Sequence, residues 1–193
     1  AEIKHGRIAM FAFVGYCVQA NGIHWPWNIQ SDGLSFGDIS AAGSPPDQWD
    51  ALSSAAKLQI LLVIGFLELI GENSYALSES GQKHYMRGGK PGFYPSLKKV
   101  IPHPVPFDLY DPFGFSSKKT PEQKEKGLLI EINNGRLAML GIMGFVAAGK
   151  VEGSVPALAG VIKPYAGEPM AYFSAANTDL PFVKEMLAFG TPW

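Results

Sequence analysis

A nine-residue phrase occurs twice in this chain, each time directly ahead of an apolar run. It reads EIKHGRIAM at residues 2–10 and EINNGRLAM at residues 131–139. With Glu2 set on Glu131, seven of the fourteen positions from Glu2 to Gly15 are identical. Internal similarity of this density predicts two related helices that enter their surroundings from the same side, with a third segment running back between them. Within each copy the arginine follows the glutamate by five residues, about 140° around a helix, so a pair inside one helix is poorly aligned. Bare charge in or near a bilayer costs several kcal/mol, which makes a reciprocal arrangement the economical one: Arg7 to Glu131 and Arg136 to Glu2. Two parallel helices related by a twofold make both pairs at once. Gly6, Ala9 and Gly15, with Gly135, Ala138, Gly141 and Gly144, supply small residues for a close approach.

Three segments are rich in apolar residues, at 8–18, 60–71 and 137–149. Each is shorter than the ~20 residues that a spanning helix usually needs, and each extends through flanks of mixed polarity, so hydropathy leaves membrane and soluble readings open. Charge sorting favours the membrane reading. Residues 24–56 hold four aspartates and no Lys or Arg, whereas residues 72–127 hold nine Lys and Arg. Three crossings place the first loop and the tail on one side and the basic loop on the other, the positive-inside pattern. The expectation is therefore an all-α membrane protein with three transmembrane helices at about 2–24, 53–73 and 121–149. The first and third are crossed and pseudo-twofold related within a single domain spanning 1–193. Near the C-terminus, NTDLPFVKEMLAFG predicts a short amphipathic surface helix at about 179–189. Pro181 suits its first turn, Gly190 its stop, and Phe182, Val183, Met186 and Leu187 share one face. No cleavable leader is visible; the chain opens inside the first motif, so residues are expected ahead of Ala1.

Once paired with arginine, each glutamate keeps a second oxygen for other work. Glu2 and His5 lie three residues apart on neighbouring helix faces, and Glu131 and Asn134 repeat the relation. Carboxylate, imidazole and carboxamide are donors that a hard cation such as magnesium accepts, and a magnesium tetrapyrrole needs one protein ligand per molecule. The alternative is that the Glu/Arg pairs are structural and that His5 and Asn134 make ordinary hydrogen bonds. A ligand-type residue at the same place in both copies favours the first reading.

These residues resemble the light-harvesting chlorophyll-binding protein family, whose paired helices carry ExxHGRxAM and ExxNGRxAM. YDPFGF at residues 110–115 resembles the family's FDPLG turn ahead of its third helix. HYMRGGKPGFYP (84–95) and LQILLVIGFLELIG in the middle segment resemble the chlorophyll a/c branch, the fucoxanthin or peridinin antennae of algae. The resemblance spans three helices and the second loop, and is weak over 25–54 and after 151. It implies that Glu2 and Glu131 ligate chlorophyll magnesium while paired to Arg136 and Arg7. It implies His5 and Asn134 as adjacent chlorophyll ligands and Glu68 as a ligand on the middle helix, with Gln59 as a further candidate. His84, in a Gly-rich basic loop, is a pigment-side candidate with a plain surface role as its alternative. Asp111 and Pro112 match the cradle of two carotenoids. About fourteen residues after the asparagine the family often has Gln or His; Ala148 stands here, so that site is lost or water-ligated.

The implied cofactors are chlorophyll a, chlorophyll c and carotenoids of the fucoxanthin or peridinin type or related xanthophylls. The implied setting is the chloroplast thylakoid membrane, crossed several times. The implied partners are a photosystem core, neighbouring antenna subunits and thylakoid lipids. A photoprotective, energy-quenching member of the same superfamily is the nearest alternative. A small membrane transporter or a haem protein is the alternative of another class, but a bis-histidine haem wants facing histidines, and His5 is opposite Asn134. Net charge of −1, with no basic block, argues against a nucleic-acid partner. The single cysteine, Cys17, excludes an internal disulfide framework and reads as a small buried apolar residue. No nucleophile-elbow, P-loop, zinc or Rossmann pattern supports an enzyme. His24 beside Trp25 and Trp27 suits an interfacial belt, His103 between two prolines a loop, and Gln19 a polar helix end.

Overall fold

The computed structural model describes residues 1–29, 33–101, 110–169, 171–175, 177 and 179–189. His103 and Gly190 lie outside them. The chain divides into two compact units. The first is Ala1–Arg7 with Leu61–Gly135, and the second is Ile8–Ile60 with Arg136–Trp193. Every regular element among the described residues is helical; the one β-type contact is an isolated bridge between Asn28 and Ser35.

Helix α1 (Glu2–Ala20) starts on a glutamate, whose charge suits the positive end of the helix dipole. It stops four residues before the expected 24. Gly22 takes φ +67°, the Gly22 amide bonds back to the Gln19 carbonyl, and the Ile23 amide bonds back to the Val18 carbonyl. That is a Schellman cap, which a left-handed glycine permits and a continuing helix does not. Two short helices follow, α2 (Phe36–Ala41) and α3 (Pro45–Asp50), each opened by a capping box: Ser35 with Asp38 and Ser44 with Asp47.

Helix α4 (Ser54–Glu72) is the one helix among the described residues that is long and apolar enough to cross a membrane. Only 17% of its apolar stretch is buried, the reverse of a helix that fills a soluble core. After α5 (Ser74–Glu79) and the short α6 (Leu97–Val100) comes α7 (Pro121–Lys150), the longest element at 30 residues. Its start is well specified. Thr120 Oγ1 accepts from the Gln123 amide, Gln123 Oε1 accepts from the Thr120 amide, and Pro121 occupies the first turn. Helix α8 (Val183–Phe189) begins later than the expected 179 because residues 180–182 form turns.

Packing within the first unit centres on Ile70, Ala76 and Leu97, with Tyr94, Val100 and Ile101 against them. The Tyr94 hydroxyl donates to the Leu67 carbonyl at 2.8 Å, which seats the basic loop on α4. Burial, with the Glu68 charge adding to it, pushes the Tyr94 phenol above its ordinary value, so it remains a donor.

The second unit is held differently. Lys57 is fully buried and donates to Asn177 Oδ1 (2.6 Å) and the Asp50 carbonyl (3.4 Å), with the Trp49 ring 6.0 Å from its ammonium. Asn177 Nδ2 donates to Ser54 Oγ, which donates to Asp179. The Tyr165 hydroxyl donates to Asp50 at 2.7 Å, and burial together with this bond raises its pKa strongly. These bonds tie the tail to α3 and the start of α4. On α8 Val183 is fully buried and Met186 and Leu187 are half-buried, whereas Phe182, expected on the same face, lies in the turn ahead of the helix and is exposed.

Long stretches of α1, α4 and α7 keep their large apolar side chains outward. Phe11 is 78% exposed, Leu62 72% and Leu140 75%. Apolar surface on this scale marks a surface made to be covered.

Candidate functional site

The start of α1 and the first half of α7 meet without side chains between them. A Cβ added to Gly6 falls 3.0 Å from Gly135 Cα, and one added to Gly135 falls 2.8 Å from Gly6 Cα. The two Gly-Arg steps of the repeat thus put backbone on backbone. One residue on, Arg7 Nε donates to Glu131 Oε1 at 2.5 Å, making one half of the reciprocal pairing expected from the spacing. Both side chains are about 30% exposed (30% and 28%), so the pair is sheltered but not sealed.

Arg7 has a further partner that the sequence did not suggest. Its Nη1 donates to the Gly92 carbonyl at 2.6 Å. Gly92 sits at φ +76°, and a Cβ there would lie 2.9 Å from Ile3 Cγ2 and 3.3 Å from Arg7 Nη2. Only glycine fits both the left-handed backbone and the contact with α1. The planar guanidinium therefore spans a carboxylate on α7 and a carbonyl of the basic loop, which a lysine cannot reproduce. Glu131 Oε2 is left for another cation.

His5 is exposed, and its Nδ1 lies 2.9 Å from the Ala1 carbonyl oxygen. An oxygen acceptor fixes the proton on Nδ1, so in the neutral ring the lone pair is on Nε2, directed away from that bond. Metal-ligating imidazoles are held in this tautomer. Asn134, one turn beyond Glu131, exposes its carboxamide. Glu2 is exposed in the first unit; Arg136 is exposed in the second.

On α4, Glu68 repeats the device in another form: Lys4 of α1 pairs with Glu68 Oε2 and lies 3.9 Å from Glu72. Lys4 was missed as a partner. The available signal was a single ammonium in the first motif and a single carboxylate inside LLVIGFLELIG, each needing an opposite charge. Glu72 also meets His84 Nε2 at 2.5 Å, while His84 Nδ1 accepts from the Met86 amide at 3.2 Å. Both ring nitrogens of His84 are thereby engaged. It acts as a cap for the 3₁₀ turn Tyr85–Arg87 and has no lone pair left for a metal. Gln59 is exposed on α4 in the second unit.

Asp111 and Pro112 form a turn ahead of α7. Asp111 takes φ +52°, its Oδ2 accepts from the Ser116 amide at 2.7 Å, and its carbonyl accepts from the Gly114 amide. Asp111 thus ties its side chain to the 3₁₀ turn Phe115–Lys118, whose N-cap is Gly114. His24 bonds the Trp25 carbonyl through Nδ1, and Trp25 stacks on Trp27 with centroids 4.9 Å apart.

Among the described residues no three of His, Cys, Asp and Glu gather into a cage for a bare ion. The chain offers separate single donors, each beside exposed apolar helix surface, a pattern suited to large apolar molecules that need one axial ligand each. Comparison with known proteins identifies the class. Residues 1–150 match the family model described as Chlorophyll A-B binding protein. A fucoxanthin-chlorophyll a-c binding protein, chloroplastic, of Trieres chinensis is 33% identical over 155 residues, 80% of this chain and 66% of the relative. Fucoxanthin-chlorophyll a-c binding protein F of Phaeodactylum tricornutum is 35% identical over 153 residues (78% and 63%), and protein E of that organism 37% over 147 (74% and 59%). The chain belongs to the chlorophyll a-b binding protein family. It spans less than two thirds of the length of these curated relatives.

Proposed function

We propose that this chain is a light-harvesting antenna protein of the chloroplast thylakoid membrane. In this reading α1, α4 and α7 cross the bilayer, and the amphipathic tail helix α8 lies at its surface. The observation that carries it is the neutralised glutamate: Arg7 satisfies one oxygen of Glu131 and leaves the other, beside exposed apolar helix surface. His5, with its proton held by the Ala1 carbonyl, fits the same role. Magnesium accepts oxygen and neutral nitrogen donors, so these residues suit the metal of a chlorophyll. Bound chlorophyll supplies absorption of light and transfer of excitation; the chain makes and breaks no bond.

The residues assigned to hold chlorophyll are Glu131, Asn134, Glu2, His5 and Glu68, with Gln59 as a further donor. Arg136 serves Glu2 as Arg7 serves Glu131. The relatives' names point to chlorophylls a and c and a fucoxanthin-type carotenoid as the set, with carotenoid against the Asp111–Pro112 turn. Excitation passes to neighbouring antenna subunits and a photosystem core.

The test is to purify the protein in mild detergent and chromatograph its extracted pigments. Chlorophylls a and c with a xanthophyll are expected; a folded, colourless protein defeats the proposal. His5→Leu removes about one chlorophyll per chain while helicity is retained, and unchanged pigment content removes His5 from the ligand set.

A further inference from the structure

Beside the Arg7–Glu131 pair the first unit contains a groove of about 430 Å3, and its charge is unbalanced. Arg7 and Glu131 both line it and cancel each other. Lys90, Lys119 and Lys124 line it as well, and none of the three has a carboxylate within ion-pair distance among the described residues. Their placement is not left to a loose loop. Lys90 precedes the Pro91–Gly92 step that Arg7 and Ile3 clamp against α1, and Lys119 and Lys124 flank the Thr120 cap of α7. Tyr94, Tyr110 and Leu128 give the same groove an aromatic and apolar wall. Three ammonium groups lining one groove repel one another less when an anion lies among them, and an apolar wall in the same groove suits a molecule with an acidic head and an apolar body.

We propose that this groove binds the oxyanion of a membrane amphiphile. The head is held by Lys90, Lys119 and Lys124, and the apolar part lies against Tyr94, Tyr110 and Leu128. The proposal rests on the membrane reading above. Two sources carry this chemistry: an acidic lipid with a phosphate or sulfonate head, and a tetrapyrrole whose carboxyl is free rather than esterified, as in chlorophyll c.

The experiment compares the protein purified in mild detergent with the triple variant Lys90→Gln, Lys119→Gln, Lys124→Gln and with the corresponding triple arginine variant. Bound lipids are measured by mass spectrometry and pigments by chromatography. The unmodified and arginine proteins are expected to retain about one acidic amphiphile per chain, and the glutamine variant to lose most of it. Loss of phosphatidylglycerol-type lipid or sulfolipid assigns the groove to a lipid; loss of chlorophyll c at constant chlorophyll a assigns it to the pigment acid. A folded glutamine variant that keeps its full complement of both overturns the proposal. Should that variant not fold, the unmodified protein is washed from ~0.1 M to ~1 M salt, where the screening length falls from about 10 to about 3 Å. Undiminished retention of acidic lipid and of chlorophyll c through that wash overturns it equally. A colourless protein that still holds an acidic lipid in a lysine-dependent way defeats the antenna reading and leaves the groove standing.

Discussion

Helices α1 and α7 are joined twice, by opposite means. In the first unit their motif ends meet through a bare Gly6–Gly135 contact and the Arg7–Glu131 ion pair. In the second unit the later turns meet through rings. Phe13 stacks on Phe145 with centroids 4.9 Å apart, Tyr16 approaches Phe145 at 4.9 Å, and the Phe13 edge fills the space over Gly141. Rings tolerate small displacements, because dispersion is spread over many weak contacts. An ion pair hung on touching backbones tolerates very little, because the guanidinium plane must meet its carboxylate and carbonyl together. The motif ends therefore fix geometry, while the ring contacts add adhesion.

The sharpest way to break this contrast is Gly135→Leu. The new side chain meets backbone rather than a movable side chain, so the cost sits at the upper end of overpacking, about 3 kcal/mol. Loss of the folded, pigmented species after detergent extraction is expected, and a normal melting temperature contradicts the backbone contact. Arg7→Leu comes next. It strands the Glu131 carboxylate and the Gly92 carbonyl at a cost of about 2 kcal/mol, less than for a sealed pair because both partners keep partial exposure. Arg7→Lys should recover only part of the lost thermal stability; full recovery shows that the fork geometry is unimportant.

Phe145→Ala probes the other end, where two ring contacts are worth about 1–2 kcal/mol. It should lower the melting temperature and leave the chlorophylls proposed at the motif ends in place. A pigment loss as large as that of Arg7→Leu merges the two regions into one.

The smallest effect lies away from both. Hydrogen bonds from Ser35 hold the Asp38 carboxyl below its ordinary 3.8. A depressed folded value means that the contribution is present above pH 3.8 and is lost as pH falls through the lower folded value. Amide-exchange protection of α2 should weaken over that acid range, and Ser35→Ala should flatten the dependence.

How far the sequence reaches follows from the range of each interaction. The repeat alone predicted Arg7 with Glu131, since a five-residue offset aligns a pair within one helix poorly and the second copy supplies the alternative. The caps of α2, α3 and α7 are written in four-residue patterns and need no tertiary information. Gly92 as an acceptor for Arg7 was not legible, because it depends on how residues 84–95 fold back onto α1, and nothing near Arg7 in the chain points there. Lys57 was passed over for the same reason: its partners Asn177 and Asp50 lie in distant segments. The end of α1 at Ala20 was legible in principle from Asn21 and Gly22, but the apolar and polar flanks beyond Val18 hid it. His84 shows the opposite failure. A histidine in a loop of the right family looks like a donor, until its neighbours use both nitrogens.

The Gly6–Gly135 contact has a spectroscopic consequence. Side chains have rotamers, and a spacing set through them varies from molecule to molecule; touching main chains have none. Glu131 stands four residues from Gly135, and Glu2 and His5 lie within four residues of Gly6, all on the same helical rods. Chromophores held there would keep one mutual distance across the population, and excitonic coupling depends steeply on distance. Their absorption should show narrow inhomogeneous width at low temperature. A cluster hung instead on the rings of the second unit would be broader.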